Sequence, residues 1–115
     1  PNTYNLAYAV AEAEKAGETC IADQNKKRIV EFVLGHQSAD GAWNNVDNIW
    51  MDRVQSTVFA MTALLRYGDK SEYRVRSSLR FGTAYLIRQM RRSSQGHYHW
   101  NGEVFFTATA IARSL

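Results

Sequence analysis

An all-α fold of antiparallel helical hairpins is expected for this 115-residue chain, and three observations lead to it. A segment of basic residue, apolar helical stretch, Gln, polar loop, Gly and Trp occurs at residues 28–43 and again, degenerate, at 80–100. Stretches free of charge alternate with stretches charged on one side only. No segment alternates apolar and polar residues long enough to argue a strand, and the only Pro, Pro1, interrupts no helix.

The elements follow in order. A first helix is expected over residues 3–16, stopped by Gly17, where a left-handed cap costs least. A second spans 23–36 with Asp23 as its N-cap, followed by a turn at Ser38-Ala39-Asp40-Gly41. A third covers 54–67, with Asp52 able to cap it, and ends at Gly68-Asp69. A fourth covers 72–92 behind Ser71 as a possible cap, and Ser93-Ser94-Gln95-Gly96 makes the next turn. A fifth is expected over 103–114.

The repeat extends beyond the Gln and Trp. Gln37 and Gln89 are 52 positions apart, residues 56–65 match 106–115 at a shift of 50, and Tyr8–Gly17 match Phe59–Gly68 at a shift of 51. The chain therefore divides as one domain into a partial unit (1–22) and two units (23–70 and 71–115). Residues 54–65, 2–11 and 104–112 carry no charge, whereas the second and fourth helices are charged on one face. A helix without charge around its circumference is suited to burial on all sides, and a one-sided helix to an outer position. Alternating the two implies an inner and an outer layer, as in an α/α barrel or curved solenoid.

Composition narrows the function classes. No run of about 18 apolar residues exists, so no transmembrane segment is expected, and no signal peptide is visible. Single Cys20 allows no internal disulfide and fits a reducing, cytoplasmic setting. Charge is uneven: residues 1–52 hold four Lys/Arg and eight Asp/Glu, residues 66–92 eight and two. Arg76, Arg80, Arg88 and Arg91 fall on one side of the fourth helix, opposite Leu79, Gly82, Tyr85, Leu86 and Met90. A solvated amphipathic face accounts for that block, so no nucleic-acid partner is expected.

The pattern of Gln37, Gly41 and Trp43, echoed by Gln89, Gly96 and Trp100, resembles the QW motif of squalene–hopene and oxidosqualene cyclases, within the wider terpenoid cyclase and protein prenyltransferase α/α-toroid group. The resemblance covers roughly residues 24–115. It implies a partial α/α toroid in which Gln and Trp clamp the corner between an outer and an inner helix. It also implies a hydrophobic, isoprenoid-type ligand walled by Tyr4, Tyr8, Phe59, Phe105 and Phe106, whose faces suit a cationic polyene. The family's Asp-x-Asp-Asp-Thr acid motif is missing: aligned on Thr57, its acids fall on Arg53, Gln55 and Ser56, and aligned on Thr107 on Glu103, Phe105 and Phe106. No zinc set like that of the prenyltransferases is found, and neither a metal nor a cofactor is expected.

Two rival readings stand beside this one. A non-catalytic protein–protein interaction module would keep the fold without the acids. A carbohydrate-active α/α barrel would use Asp47 and Asp52, which bracket Trp50, as catalytic carboxylates, with Trp43, Trp50 and Trp100 stacking on sugar. Two and a half units leave open ends, so a homodimer or the remainder of a longer chain is expected to complete the core.

Overall fold

The computed structural model describes residues 4–18, 20–44 and 53–94, with side chains described between residues 8 and 91 of those spans. Four helices form: α1 (Tyr4–Lys15), α2 (Asp23–Gly35), α3 (Arg53–Tyr67) and α4 (Tyr73–Ser94). No strand occurs among the described residues, and none of the described helices is long and apolar enough to cross a membrane. The expected fifth helix at 103–114 lies outside the described residues.

The helix ends show where local chemistry decides. Gly17 takes φ +80° beyond the end of α1. Glu18 N–H donates to Ala13 O at 2.9 Å and Gly17 N–H to Glu14 O at 3.1 Å, the paired bonds of a Schellman cap. At α2 the expectation is corrected. Ala22 holds the cap position, in an extended conformation and without a side-chain cap bond, and Asp23 is the first helical residue. The Asp23 carboxylate still opposes the helix dipole there. Before α4, Asp69 rather than Ser71 organises the turn, taking the Ser71 N–H (2.9 Å) and hydroxyl (2.6 Å) on Oδ1. The first α4 bond runs from Arg76 N–H to Glu72 O, which moves the cap to Glu72.

α3 is the centre. Val54, Ser56, Thr57, Val58, Ala60, Met61, Ala63 and Leu64 are all buried, so this helix, uncharged from 54 to 65, is covered around most of its circumference. α1, α2 and α4 each pack against it, and α2 also touches α4. α4 turns Val75, Leu79, Tyr85 and Leu86 inward and leaves Arg76, Arg80, Arg88 and Arg91 exposed.

Contacts fix the directions. Tyr8 meets Phe59 and Glu14 meets Arg66, so α1 and α3 run parallel. Glu31 meets Arg74 and Gln37 meets Ser78, so the α2 and α4 segments also ascend together. Gly68 lies against Val75 and Gly82 against Met61, so α3 and α4 are antiparallel. The uncharged runs at 4–11 and 54–65 thus lie in two parallel helices that are side by side, but only α3 is covered around most of its circumference. α1 leaves Ala9 and Glu12 exposed, so burial on all sides is not met there, and α2 and α4 each lie against α3.

Candidate functional site

The corner between α2 and α3 is built by Gln37 and Trp43. They form an isolated antiparallel bridge across the turn. Inside it Ser38 N–H donates to Ala42 O at 2.8 Å and Gly41 N–H to Ser38 O at 3.0 Å. Gly41 adopts φ +95°, and a Cβ there would lie 2.1 Å from Phe81 O of α4. The turn therefore requires glycine twice over, for its left-handed backbone and for its approach to α4.

Gln37 uses its whole amide. Nε2 donates to Gly41 O at 3.0 Å and to Ser78 O at 2.9 Å, while Oε1 accepts from Ser78 Oγ at 2.8 Å. One side chain thus ties the turn to α4. Trp43 is fully buried, and its Nε1–H donates to Val33 O at 2.7 Å, satisfying a carbonyl in the last turn of α2. Its backbone N–H donates to Thr57 Oγ1 at 3.0 Å, and its carbonyl accepts a short bond from Ser56 Oγ. The two buried hydroxyls at the start of α3 are thereby satisfied by the corner backbone. Gly82 gives the indole room: a Cβ there would meet Met61 Sδ at 2.6 Å and Trp43 Cζ3 at 3.1 Å.

A polar rim surrounds this clamp. Asp40 Oδ1 pairs with Arg53 Nη2 at 2.8 Å and accepts from Ala42 N–H at 3.2 Å. Partial burial works against the Asp40 charge, but the Ala42 N–H and the Arg53 guanidinium outweigh it and hold the carboxyl below its ordinary value. Arg53 also donates to Asn44 Oδ1 at 2.6 Å and lies 5.4 Å from the Tyr85 ring centroid, within cation–π range.

Between α1 and α3, Tyr8 and Phe59 stack with ring centroids 4.4 Å apart and planes at 23°. Both are half-buried. These two are the only members of the expected aromatic wall whose side chains are described. The side chain of Tyr4, together with Phe105 and Phe106, lies outside the described residues. So do Asp47, Asp52, Trp50, Gly96 and Trp100. Gln89 is half-buried inside α4, five residues before its end, whereas Gln37 lies beyond the end of α2. Trp43 has no exposed face to stack on a sugar.

Sequence reasoning missed a carboxylate beside this pair. Glu14 accepts from Ile21 N–H at 2.9 Å and pairs with Arg66 Nη2 at 3.2 Å and Lys26 Nζ at 3.8 Å. The Ile21 N–H, with the two cations, holds its carboxyl below the ordinary value. Next to it the Tyr67 hydroxyl is buried without a hydrogen-bond partner among the described residues. Burial, reinforced by the Glu14 charge, pushes its pKa up. Glu14 is one of three acids in its segment, and only the fold singles it out, by bringing Ile21 and Arg66 to it. On the opposite side of the corner, a groove of about 340 Å³ runs between α2 and α4, edged by Tyr73, Arg74 and Phe81 and floored by Gln37 and Ser78. It shares no residue with the Tyr8–Phe59 pair. Among the described residues no cluster of His, Cys, Asp and Glu could hold a metal ion.

No protein-family model, curated protein or solved structure matches this chain.

Proposed function

We propose that the chain is a section of a terpenoid-cyclase-like α/α toroid whose inner helices offer aromatic faces to a hydrophobic, isoprenoid-type ligand. The observation that carries this reading is the Tyr8–Phe59 stack. These residues are equivalent in the 51-residue repeat, and they touch between the uncharged runs of two parallel helices. Successive units of a curved repeat bring equivalent inner positions together in this way. The Gln37–Trp43 clamp supports the same reading, since it fastens an outer helix to an inner one through side chains that the QW pattern repeats.

The reading is of ligand binding and not of cyclisation. A polyene-protonating acid needs strong tuning by its neighbours. Arg53 stands where one family acid would fall, and it is engaged by Asp40 and Asn44. That engagement favours a second reading, a non-catalytic interaction module on the same scaffold. Titration with squalene or a farnesyl analogue, followed by equilibrium dialysis and intrinsic fluorescence, separates the two. Saturable binding that Tyr8→Ala and Phe59→Ala each weaken supports the ligand site. An absence of binding by a folded chain leaves the interaction module.

A further inference from the structure

The exposed face of α4 carries charge that no carboxylate among the described residues neutralises. The helix holds six Arg and no acid. Arg74 is neutralised by Glu31 and Glu72. Arg76, Arg80 and Arg88 have no such carboxylate partner among the described residues. Arg76 Nη1 donates to Ser71 O at 2.8 Å and Arg88 Nη2 to Asp40 O at 2.7 Å, both neutral carbonyls that leave the cation's charge in place. Arg80 is exposed and makes no hydrogen bond or ion pair among the described residues. Elsewhere Arg53, Arg66 and Lys26 have carboxylate partners, whereas Lys15, Lys27, Arg28 and Lys70 have none among the described residues but do not share one helix face with exposed apolar groups.

Apolar groups are set among these cations. Among the described residues Tyr73, Phe81 and Ile87 are the large hydrophobic residues left exposed, at 72%, 59% and 37%, and all three belong to α4. At about 100° per residue, Arg76, Arg80, Ile87, Tyr73, Arg88 and Phe81 share an arc of roughly 140°, along a helix about 33 Å long. We infer that this face docks α4, lying flat, on an anionic lipid surface. Guanidinium groups would meet lipid phosphates while the Phe81, Ile87 and Tyr73 side chains enter the headgroup–acyl boundary, with the Tyr73 hydroxyl kept at headgroup level. Ile87 decides between the two polyanions that a basic face fits. Tyr73 and Phe81 suit either partner, but the aliphatic Ile87, two turns along the same face from Arg80, offers no flat face for a nucleic-acid base to stack on and gains from burial at a bilayer interface. This inference does not depend on the ligand reading above.

The test is co-sedimentation of the full chain with vesicles of phosphatidylglycerol mixed into phosphatidylcholine, against phosphatidylcholine alone, at low and physiological salt. Binding is expected on the anionic vesicles only, weakening with salt. Each elementary charge near such a surface changes partitioning by about fivefold. Arg80→Glu, a change of two charges, is therefore expected to reduce partitioning by roughly twenty-fivefold. Phe81→Ser/Ile87→Ser is expected to reduce it with the charge unchanged. Both variants alter solvent-facing side chains, and circular dichroism and the melting temperature establish that they fold. The inference is overturned by no binding to anionic vesicles, by equal binding to neutral ones, or by binding that either folded variant leaves unchanged. It is also overturned if a single-stranded oligonucleotide binds more tightly and the Phe81/Ile87 change does not matter.

Discussion

Replacing Gln37 by glutamate changes one NH₂ group to an oxygen and nothing else in size. In the native corner that NH₂ donates to Gly41 O and Ser78 O, and the neighbouring Oε1 accepts from Ser78 Oγ. Each such bond contributes about 1 kcal/mol net when well buried, so the three bonds of the amide contribute at most roughly 3 kcal/mol. Half-burial lets water replace part of this, and Gln37→Ala is expected to cost about 2 kcal/mol. Gln37→Glu is expected to cost more, about 3–4 kcal/mol at pH 7, because a carboxylate oxygen then faces two carbonyl oxygens. The sign of the pH dependence follows from the same geometry. Two acceptors beside the introduced carboxyl disfavour its charged form and raise its pKa in the folded state. The folded variant then takes up a proton before the unfolded chain does, so its deficit relative to the native protein shrinks as pH falls from 7 toward 5, by about 1 kcal/mol. Urea unfolding followed by far-ultraviolet circular dichroism at the two pH values measures this. A Gln37→Glu deficit below about 0.5 kcal/mol, or one that does not change with pH, would refute the assignment of the amide as a double donor to backbone carbonyls.

Other outcomes follow from the same geometry. Trp43→Phe removes the indole donor to Val33 O and leaves a void beside Gly82; because His36 N–H still reaches that carbonyl at 3.2 Å, the expected loss is about 2–3 kcal/mol, read from the denaturation midpoint. Gly41→Ala meets both a positive φ and the Phe81 carbonyl, so it is expected to be worse than Gly17→Ala, where only the backbone angle opposes the methyl; melting temperatures rank the two. Glu14 and Asp40 both have lowered pKa values in the folded state, from ordinary values of 4.5 and 3.8. The stability they contribute is present above those values and is lost as pH falls through the lowered ones, so an acid titration should show a loss below about pH 4.5 that Glu14→Gln reduces. Tyr8 and Phe59, tested by a double-mutant cycle to alanine, should couple by about 0.5–1.5 kcal/mol.

What the sequence made readable was the part governed by periodic burial. The uncharged run at 54–65 became the helix that three others cover, and the Arg side of the fourth helix faces outward because Leu79 and Leu86 on its other side have a core to enter. Gly17 was readable because a left-handed residue after a helix has one favoured occupant. Long-range partners were hidden. Gln37 bonds to Ser78, 41 positions away, and no local rule marks that serine. The direction of the clamp was hidden as well: the indole N–H, rather than the Gln amide, satisfies the carbonyl at the end of α2. Asp23 failed as a cap because an N-cap must sit outside the helical angles, and the chain enters them one residue earlier than its acid suggests. Glu14 was invisible as a site because its partners come from α2, α3 and the loop between α1 and α2.

The most direct test of the repeat reading is a proton nuclear Overhauser measurement on the folded chain. With α1 and α3 parallel, the Tyr8 ring should give cross-peaks to the Phe59 ring and none to the side chains of Arg66 or Tyr67 at the far end of α3. Cross-peaks from Tyr8 to Arg66 or Tyr67, with none to Phe59, would mean that α1 and α3 oppose each other, and the proposed kinship with a toroid of parallel inner helices would fail.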